Sequence, residues 1–274
     1  MDKSERDKKM EKLKKRIENP LCDIFTYSVE ELEEIENDIE FWDTNTILDT
    51  LTGCGLSKDS LTVLIGGTGD GKSLLLTHLA SKMSEDKKIL YVSFENTSKV
   101  DNSRFKDCKL TYENANHKNI HYVNILDNEM DDKVKWENKY LVPLVMEDKY
   151  DLICIDAIQT TIDAVEQDEI HRTGNVLMKE LYKLVLNSRT PMIVTWQAAR
   201  STAGKKLKEV TLDDISGSIG TVRYATNAFF IKRDGESYSR KLKLLKCRES
   251  KNARWTDPII DLELSLRFSV EKVF

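Results

Sequence analysis

The eight residues GGTGDGKS, from Gly66 to Ser73, constrain this chain more than any other feature. They satisfy the spacing G-x-x-x-x-G-K-[ST], follow the apolar run LTVLI (61–65), and open a helical pattern over 73–83. A strand that turns through a glycine-rich loop into a helix offers an anion consecutive backbone N–H groups and the positive end of a helix. Gly66, Gly67, Thr68, Gly69, Asp70, Gly71, Lys72, Ser73 and Leu74 are therefore expected to cradle the phosphates of ATP. Lys72 is expected to reach the β- and γ-phosphates, and the Ser73 hydroxyl to ligate Mg2+. The alternative is an ordinary glycine-rich turn with a surface lysine. Glycine is scarce (11 of 274 residues), and the flanking strand and helix patterns weigh against that alternative.

The rest of the chain repeats the same kind of unit. KILYVSF (88–94), NIHYVNI (119–125), DLICI (151–155) and PMIVTW (191–196) are short, nearly continuous in apolar residues, and end in polar positions. Such runs read as parallel strands covered on both faces. Helical patterns over 73–83 and 173–187 lie between them, which predicts an α/β doubly wound, mostly parallel sheet with right-handed crossovers. AFFIKR (228–233), RKLKLLKCR (240–248) and DLELSLRFSV (261–270) alternate without intervening helices and are expected to be antiparallel strands at the sheet's edge. The polar stretch 97–118 shows no clear amphipathic helix. Ahead of the first strand, residues 2–18 are almost solid charge with a thin stripe of Met10, Leu13 and Ile17, interrupted by Pro20. Ser28 and Glu31 then form a capping-box pair that starts a second helix. The expected organisation is a short helical N-terminal arm, 1–45, and one domain, 46–274. The arm is either solvated or packed on a neighbouring subunit.

Composition excludes several classes. Forty-two Lys and Arg against 47 Asp and Glu give a net charge of −5, which rules out a uniformly basic coat but not a local basic patch. The 5 cysteines are scattered without CxxC spacing, arguing against zinc or disulfides and for a reducing, cytoplasmic setting. No apolar stretch approaches the ~18 residues needed to cross a bilayer, and the charged N-terminus lacks a signal peptide's apolar core. A soluble intracellular protein with no membrane partner is expected. His78, His117, His121 and His171 show no ligand spacing.

Three polar residues close the apolar runs. Asp156 ends LICI, placing a carboxylate at a strand's C-terminal edge, where it can hold the Mg2+ shell. Glu95 and Gln197 follow KILYVSF and PMIVTW in the same topological position. Glu95 is the candidate for orienting water, and Gln197 for contacting the γ-phosphate. A capping aspartate and solvated strand-end residues are the competing readings.

The ordered set resembles a known family. A phosphate-binding loop, a strand-end Glu, a strand ending in Asp and a strand-end Gln before a basic loop resemble the RecA-like ATPase core of DnaB-type (superfamily 4) replicative helicases, closest to the phage branch. TWQAAR (195–200), DDISGSIGTVRYATNAFFI (213–231) and LLKCRES (244–250) carry the likeness, which spans roughly 46–270. It implies that Glu95 polarises the attacking water and Gln197 senses the γ-phosphate. It also implies that Arg248, with Lys246 beside it, is an arginine finger reaching a neighbour's ATP. In a strand, residues two apart point the same way, so that pair can aim together; two solvated cations on an edge strand are the alternative. Residues 200–208, RSTAGKKLK, are basic and flexible, and the resemblance puts Arg200, Lys205, Lys206 and Lys208 against single-stranded DNA. Phosphate contacts need only such a local cluster, although no aromatic is interleaved for stacking.

The resemblance thus implies a homo-oligomeric, hexameric ring that hydrolyses ATP at its subunit interfaces. It would move on single-stranded DNA during replication in a bacterial or phage-infected cell, with a primase or helicase loader as a further partner. Asn96 stands where the family has Met, and only the 1–45 arm stands where the family has a primase-interacting domain. A RecA-type recombinase or mediator forming filaments uses the same core, as does a non-motor oligomeric regulatory ATPase.

Overall fold

Nearly continuous apolar strands need cover on both faces, and the sheet is built to give it. The computed structural model describes residues 40–125, 141–146, 150–158, 167–202, 204–215, 222–235, 239–249, 253 and 258–263. The fold lies in the unit Phe41–Phe274. The helices expected over 2–18 and from Ser28 lie outside the described residues, as does the tail strand beyond Glu263. In chain order the elements are β1 (Phe41–Trp42), α1 (Ile47–Thr52), β2 (Leu56–Ser57), β3 (Leu61–Gly66), α2 (Lys72–Met83), β4 (Ile89–Ser93), α3 (Ser98–Thr111) and β5 (Ile120–Asn124). Then come α4 (Val142–Met146), β6 (Leu152–Asp156), α5 (Gln167–Ser188), β7 (Met192–Gln197), β8 (Asn227–Arg233), β9 (Ser239–Cys247) and β10 (Ile259–Glu263).

The main sheet has 8 strands in the order β10-β9-β8-β3-β7-β6-β4-β5. The strands from β8 to β5 in that order run parallel, while β9 and β10 are antiparallel. The expectation of a doubly wound, mostly parallel sheet with antiparallel C-terminal strands holds. One strand differs: β8, read as antiparallel, is parallel to β3. The connection 198–226 carries the chain from the C-terminal end of β7 back to the sheet's opposite end, so the next strand must start where β3 starts.

Alternation divides the core in two. Val63, Ile65, Val92, Ile155, Val194 and Phe230 face one layer, which α5 covers with Leu177, Met178, Leu181, Leu184 and Val185. That spacing repeats at three and four residues, as an amphipathic helix requires. Leu64, Tyr91, Cys154, Ile193 and Phe229 face the other layer, covered by α1 and by Leu75, Leu76, Leu79 and Met83 of α2. The second difference is α3, a 14-residue helix in the stretch that showed no amphipathic pattern. It fully buries only Asp101 and Cys108. Asp101 pairs with Arg104 at 3.0 Å and accepts from the Tyr122 hydroxyl at 2.9 Å. A polar anchor replaces the apolar stripe. Cys54, Cys108, Cys154 and Cys247 are free thiols. Among the described residues no helix is long and apolar enough to cross a membrane.

The end of β3 is packed to the limit. A Cβ on Gly66 would lie 2.7 Å from the Ile231 carbonyl oxygen and 2.9 Å from its Cγ2. Gly66→Ala is therefore expected to cost about 1–3 kcal/mol, the usual range for overpacking, and to lower the melting temperature by several degrees. An unchanged melting curve would show that β8 gives way freely beside the phosphate-binding loop.

Candidate functional site

β3 delivers Gly66 to the sheet's C-terminal edge, and the chain turns through Gly69 (φ 81°) and Gly71 (φ 101°) into α2. Both need the left-handed region, which side chains disfavour. α2 opens at Gly71 with no side-chain cap on its first amides. Such amides normally find a side chain, water or a ligand, so this helix end fits an anion. Asp70 stiffens the loop: its carboxylate accepts from Gly67 N at 2.7 Å and from Arg233 N, on β8, at 3.1 Å. Lys72 is buried and donates to the Gly67 carbonyl at 2.9 Å. Burial lowers its pKa, opposed by the nearby carboxylates of Glu95, Asp156 and Asp70. Gln197 Nε2 donates to Thr68 Oγ1 at 2.5 Å, which ties the end of β7 to the loop.

Asp156 is fully buried where β6 ends. Its Oδ1 accepts from Ser73 Oγ at 3.0 Å and Thr195 Oγ1 at 2.8 Å, and its Oδ2 accepts from Asn96 Nδ2 at 3.3 Å. Burial pushes its pKa up to about 6 against those hydroxyl bonds, and the Glu95 charge adds to the rise. A carboxylate and the serine of the loop, 3.0 Å apart at the phosphate cradle, are the donor set that Mg2+ takes in nucleotide sites. Glu95 is exposed beside this cluster, and its charge is felt at both Lys72 and Asp156. Thus Lys72, Ser73, Glu95, Asp156 and Gln197 converge on one edge of the sheet. Asn96 and Thr195 join them and were not singled out from the sequence as site residues. Thr195 left a signal there, a hydroxyl inside an otherwise apolar run and two residues before Gln197.

Lys246 and Arg248 lie elsewhere. Arg248 N donates to Thr226 O at 3.1 Å, and Thr226 N to Leu61 O at 2.8 Å, so the pair sits where β3 begins. The loop starts five residues further along, about 17 Å at strand rise. A bulge at Leu245 shifts the register between β8 and β9, with Leu244 opposite Phe229 and Lys246 opposite Ala228. The two cations share one side, as expected. Lys246 Nζ donates to Val222 O at 2.6 Å and Arg248 Nη2 to Arg223 O at 2.5 Å. Burial and then the Arg248 charge lower the Lys246 pKa to about 8.

The 200–208 loop is not the free arm its composition implies. Its described residues form short 3-10 turns that bury Thr202 and Leu207. Lys232 donates to Thr202 O and Lys205 O, and Lys243 to Lys208 O at 2.9 Å. Lys205 pairs with Asp214 and holds that carboxyl below the usual range. Lys206 and Lys208 line a cleft of about 410 Å3 with Lys232, Arg233 and Lys241, opposed by Asp234 and Asp261. The Arg200 side chain lies outside the described residues.

Comparison with known proteins points the same way as this geometry. The sequence model of the family described as "ATPase: KaiC" matches residues 44–260. A search of curated proteins finds no match. The solved ATPase domain of a phage DnaB-type helicase superposes with a TM-score of 0.65 at 18% identity, covering 87% of this chain and 96% of that one. A KaiC-like protein from Pyrococcus horikoshii OT3 superposes with a TM-score of 0.61 at 17% identity, covering 83% and 96%. At these identities the structural likeness is one of fold.

The folded pKa of Asp156 is raised, so the folded chain holds its proton more tightly than the unfolded chain does. Stability of the nucleotide-free protein should therefore fall as pH rises from about 4 to about 6, by an amount on the order of 2–3 kcal/mol. Asp156→Asn removes that cost. At neutral pH the nucleotide-free variant is expected to melt above wild type, the two curves converging near pH 4, while Mg2+-dependent hydrolysis is lost. A variant that melts below wild type at neutral pH would show that the hydrogen bonds to the carboxylate outweigh its desolvation.

Proposed function

The chain belongs to the KaiC-type ATPase family, and we propose that it is an ATP-driven DNA translocase or helicase whose subunits hydrolyse ATP at the interfaces of a ring. One observation carries this reading. The finger candidates Lys246 and Arg248 stand at the opposite end of the sheet from their own phosphate-binding loop, about 17 Å away along β3. A finger so placed serves a neighbour's nucleotide, and hydrolysis then depends on assembly. The motif order shared with DnaB-type helicases supports a motor, and the cationic cleft at Lys206 and Lys208 supports a phosphate-backbone partner.

Each residue has a task at the interface. Ser73 and Asp156 hold Mg2+, which neutralises charge on the β- and γ-phosphate oxygens. Lys72 draws the phosphates into the loop. Glu95, exposed to solvent beside Asp156, orients the attacking water and takes its proton. Gln197 bridges from β7 to the loop at Thr68 and reports the γ-phosphate to the basic segment that follows. Lys246 and Arg248 stabilise transition-state charge in the next subunit. Single-stranded DNA, a homo-hexamer and a primase or loader complete the reading, set in a bacterial or phage-infected cytoplasm. The division into an arm over 1–45 and an ATPase domain over 46–274 belongs to the same proposal. The family match itself favours a second reading, a non-motor oligomeric ATPase. DNA-independent turnover without unwinding of forked DNA would select it.

Mixing subunits tests the finger. Arg248→Ala and Lys72→Ala proteins are each expected to be nearly inactive, since such fingers contribute about 10³–10⁵ in rate. Co-assembled, they place an intact Lys72 site beside an intact Arg248, and activity returns. If co-assembly is demonstrated and turnover stays at the single-mutant floor, Arg248 does not act in trans.

DNA contact has its own test. Because Lys205 is engaged with Asp214, replacing Lys206 and Lys208 with Ala should carry most of the loop's effect. Each lost phosphate contact should flatten the log–log salt dependence of single-stranded DNA binding by about 0.7. An unchanged slope would remove this loop from the DNA path.

A further inference from the structure

Arg240, at the start of β9, was not marked by any motif. It is only 8% exposed. Its Nε lies 3.1 Å from the position a Cβ on Gly71 would take, so the guanidinium rests against the residue that opens α2. Arg233 stands opposite it in the β8–β9 register. Burial and the Arg233 charge both work against the Arg240 cation, and Asp70 acts in its favour. The Asp70 carboxylate is already engaged with the Gly67 and Arg233 amides. Nη1 of Arg240 donates to Ser239 O at 3.0 Å.

A buried cation sits comfortably beside an opposite charge and poorly beside like ones. Here one is held against the positive end of a helix, next to a second arginine and near a buried lysine. That concentration of positive charge suits an anion bearing several negative charges, and the loop at its centre is shaped for phosphates. We infer that Arg240 is a second cation in cis for the nucleotide's polyphosphate chain, reaching the loop at Gly71 while Lys72 acts from within. The inference rests on the nucleotide-binding reading of this loop and adds a residue that the loop motif does not contain. It also gives Gly71 a second reason to lack a side chain: any Cβ there would press on the guanidinium.

The test uses the full chain and measures ATP and ADP affinity, with Mg2+, at two ionic strengths. Wild type, Arg240→Lys, Arg240→Gln and Arg240→Met are compared, with Lys72→Ala as the control for the loop itself. Losing a charge-assisted contact should weaken ATP binding by about 10-fold or more in the Gln and Met variants and flatten its salt dependence. The Lys variant should keep much of both. Should the Met variant fail to fold, the Lys and Gln pair still decides, because both are polar and only one is charged. Equal affinity and salt dependence in those two would make Arg240 a plug behind the loop and overturn the inference. If wild type binds no nucleotide, or Lys72→Ala binds as wild type does, the reading of the loop fails first.

Discussion

The site is organised around one buried carboxylate. Asp156 closes β6 in the middle of the sheet, fully removed from solvent, and takes hydrogen bonds from α2 through Ser73, from β7 through Thr195 and from the start of the β4–α3 connection through Asn96. Three separate segments are thus fixed relative to one anion. Burying it costs free energy, visible as a pKa lifted to about 6, and hydroxyl and amide donors offset only part of that cost. A folding chain gains little from such an arrangement unless the group later binds a cation. The phosphate-binding loop is the complementary case: a helix end rich in donors, with Lys72 buried against the Gly67 carbonyl. Acid and cradle are each incomplete in the same place.

Much of this was legible in the sequence because the signals were local. The strands at 61–66, 152–156 and 192–197 announce themselves by continuous apolar runs, and the polar residue ending each falls at the sheet's C-terminal edge. What escaped was set by tertiary contact. α3 has no apolar stripe to read, since Asp101, held by Arg104 and Tyr122, anchors it. The direction of β8 depends on the path of the 198–226 connection, which no periodicity records. The basic loop reads as flexible by composition, yet the ammonium groups of Lys232 and Lys243, distant in sequence, bind its carbonyls. Arg240 is silent in the sequence because it is one cation in a lysine-rich strand; only the fold brings it to Gly71.

That strand also connects the two ends of the subunit. β9 starts with Arg240 against the subunit's own loop and ends with Lys246 and Arg248 at the opposite edge, where Arg248 N is bonded to Thr226 O. Eight residues of extended chain span about 27 Å, the scale on which a subunit can touch two nucleotides at once. The bulge at Leu245 matters to that span. Leu244 packs on the α2 face of the sheet while Leu245 packs on the α5 face, so the extra residue reverses the alternation just before Lys246. Without it, Lys246 would share the face of Leu242 and Leu244, in the apolar layer under α1 and α2, where burying an ammonium group is costly. With it, the pair turns toward the Val222 and Arg223 carbonyls.

Those carbonyls give the finger a resting place within its own subunit. Hydrogen bonds from cations to backbone oxygens are worth roughly 1.5–3 kcal/mol, less than a guanidinium gains from a γ-phosphate in a water-excluded interface. In the assembly proposed above, a neighbour's ATP therefore has a definite competitor to displace, and its product has a definite state to relax to. The competing carbonyls belong to the segment that leads from Gln197, past the basic loop, into β8. A cation leaving Arg223 O and a glutamine leaving Thr68 Oγ1 act on opposite ends of one connection. Coupling between adjacent nucleotides then requires no special signalling element, only a connection held at both ends by groups that phosphates compete for.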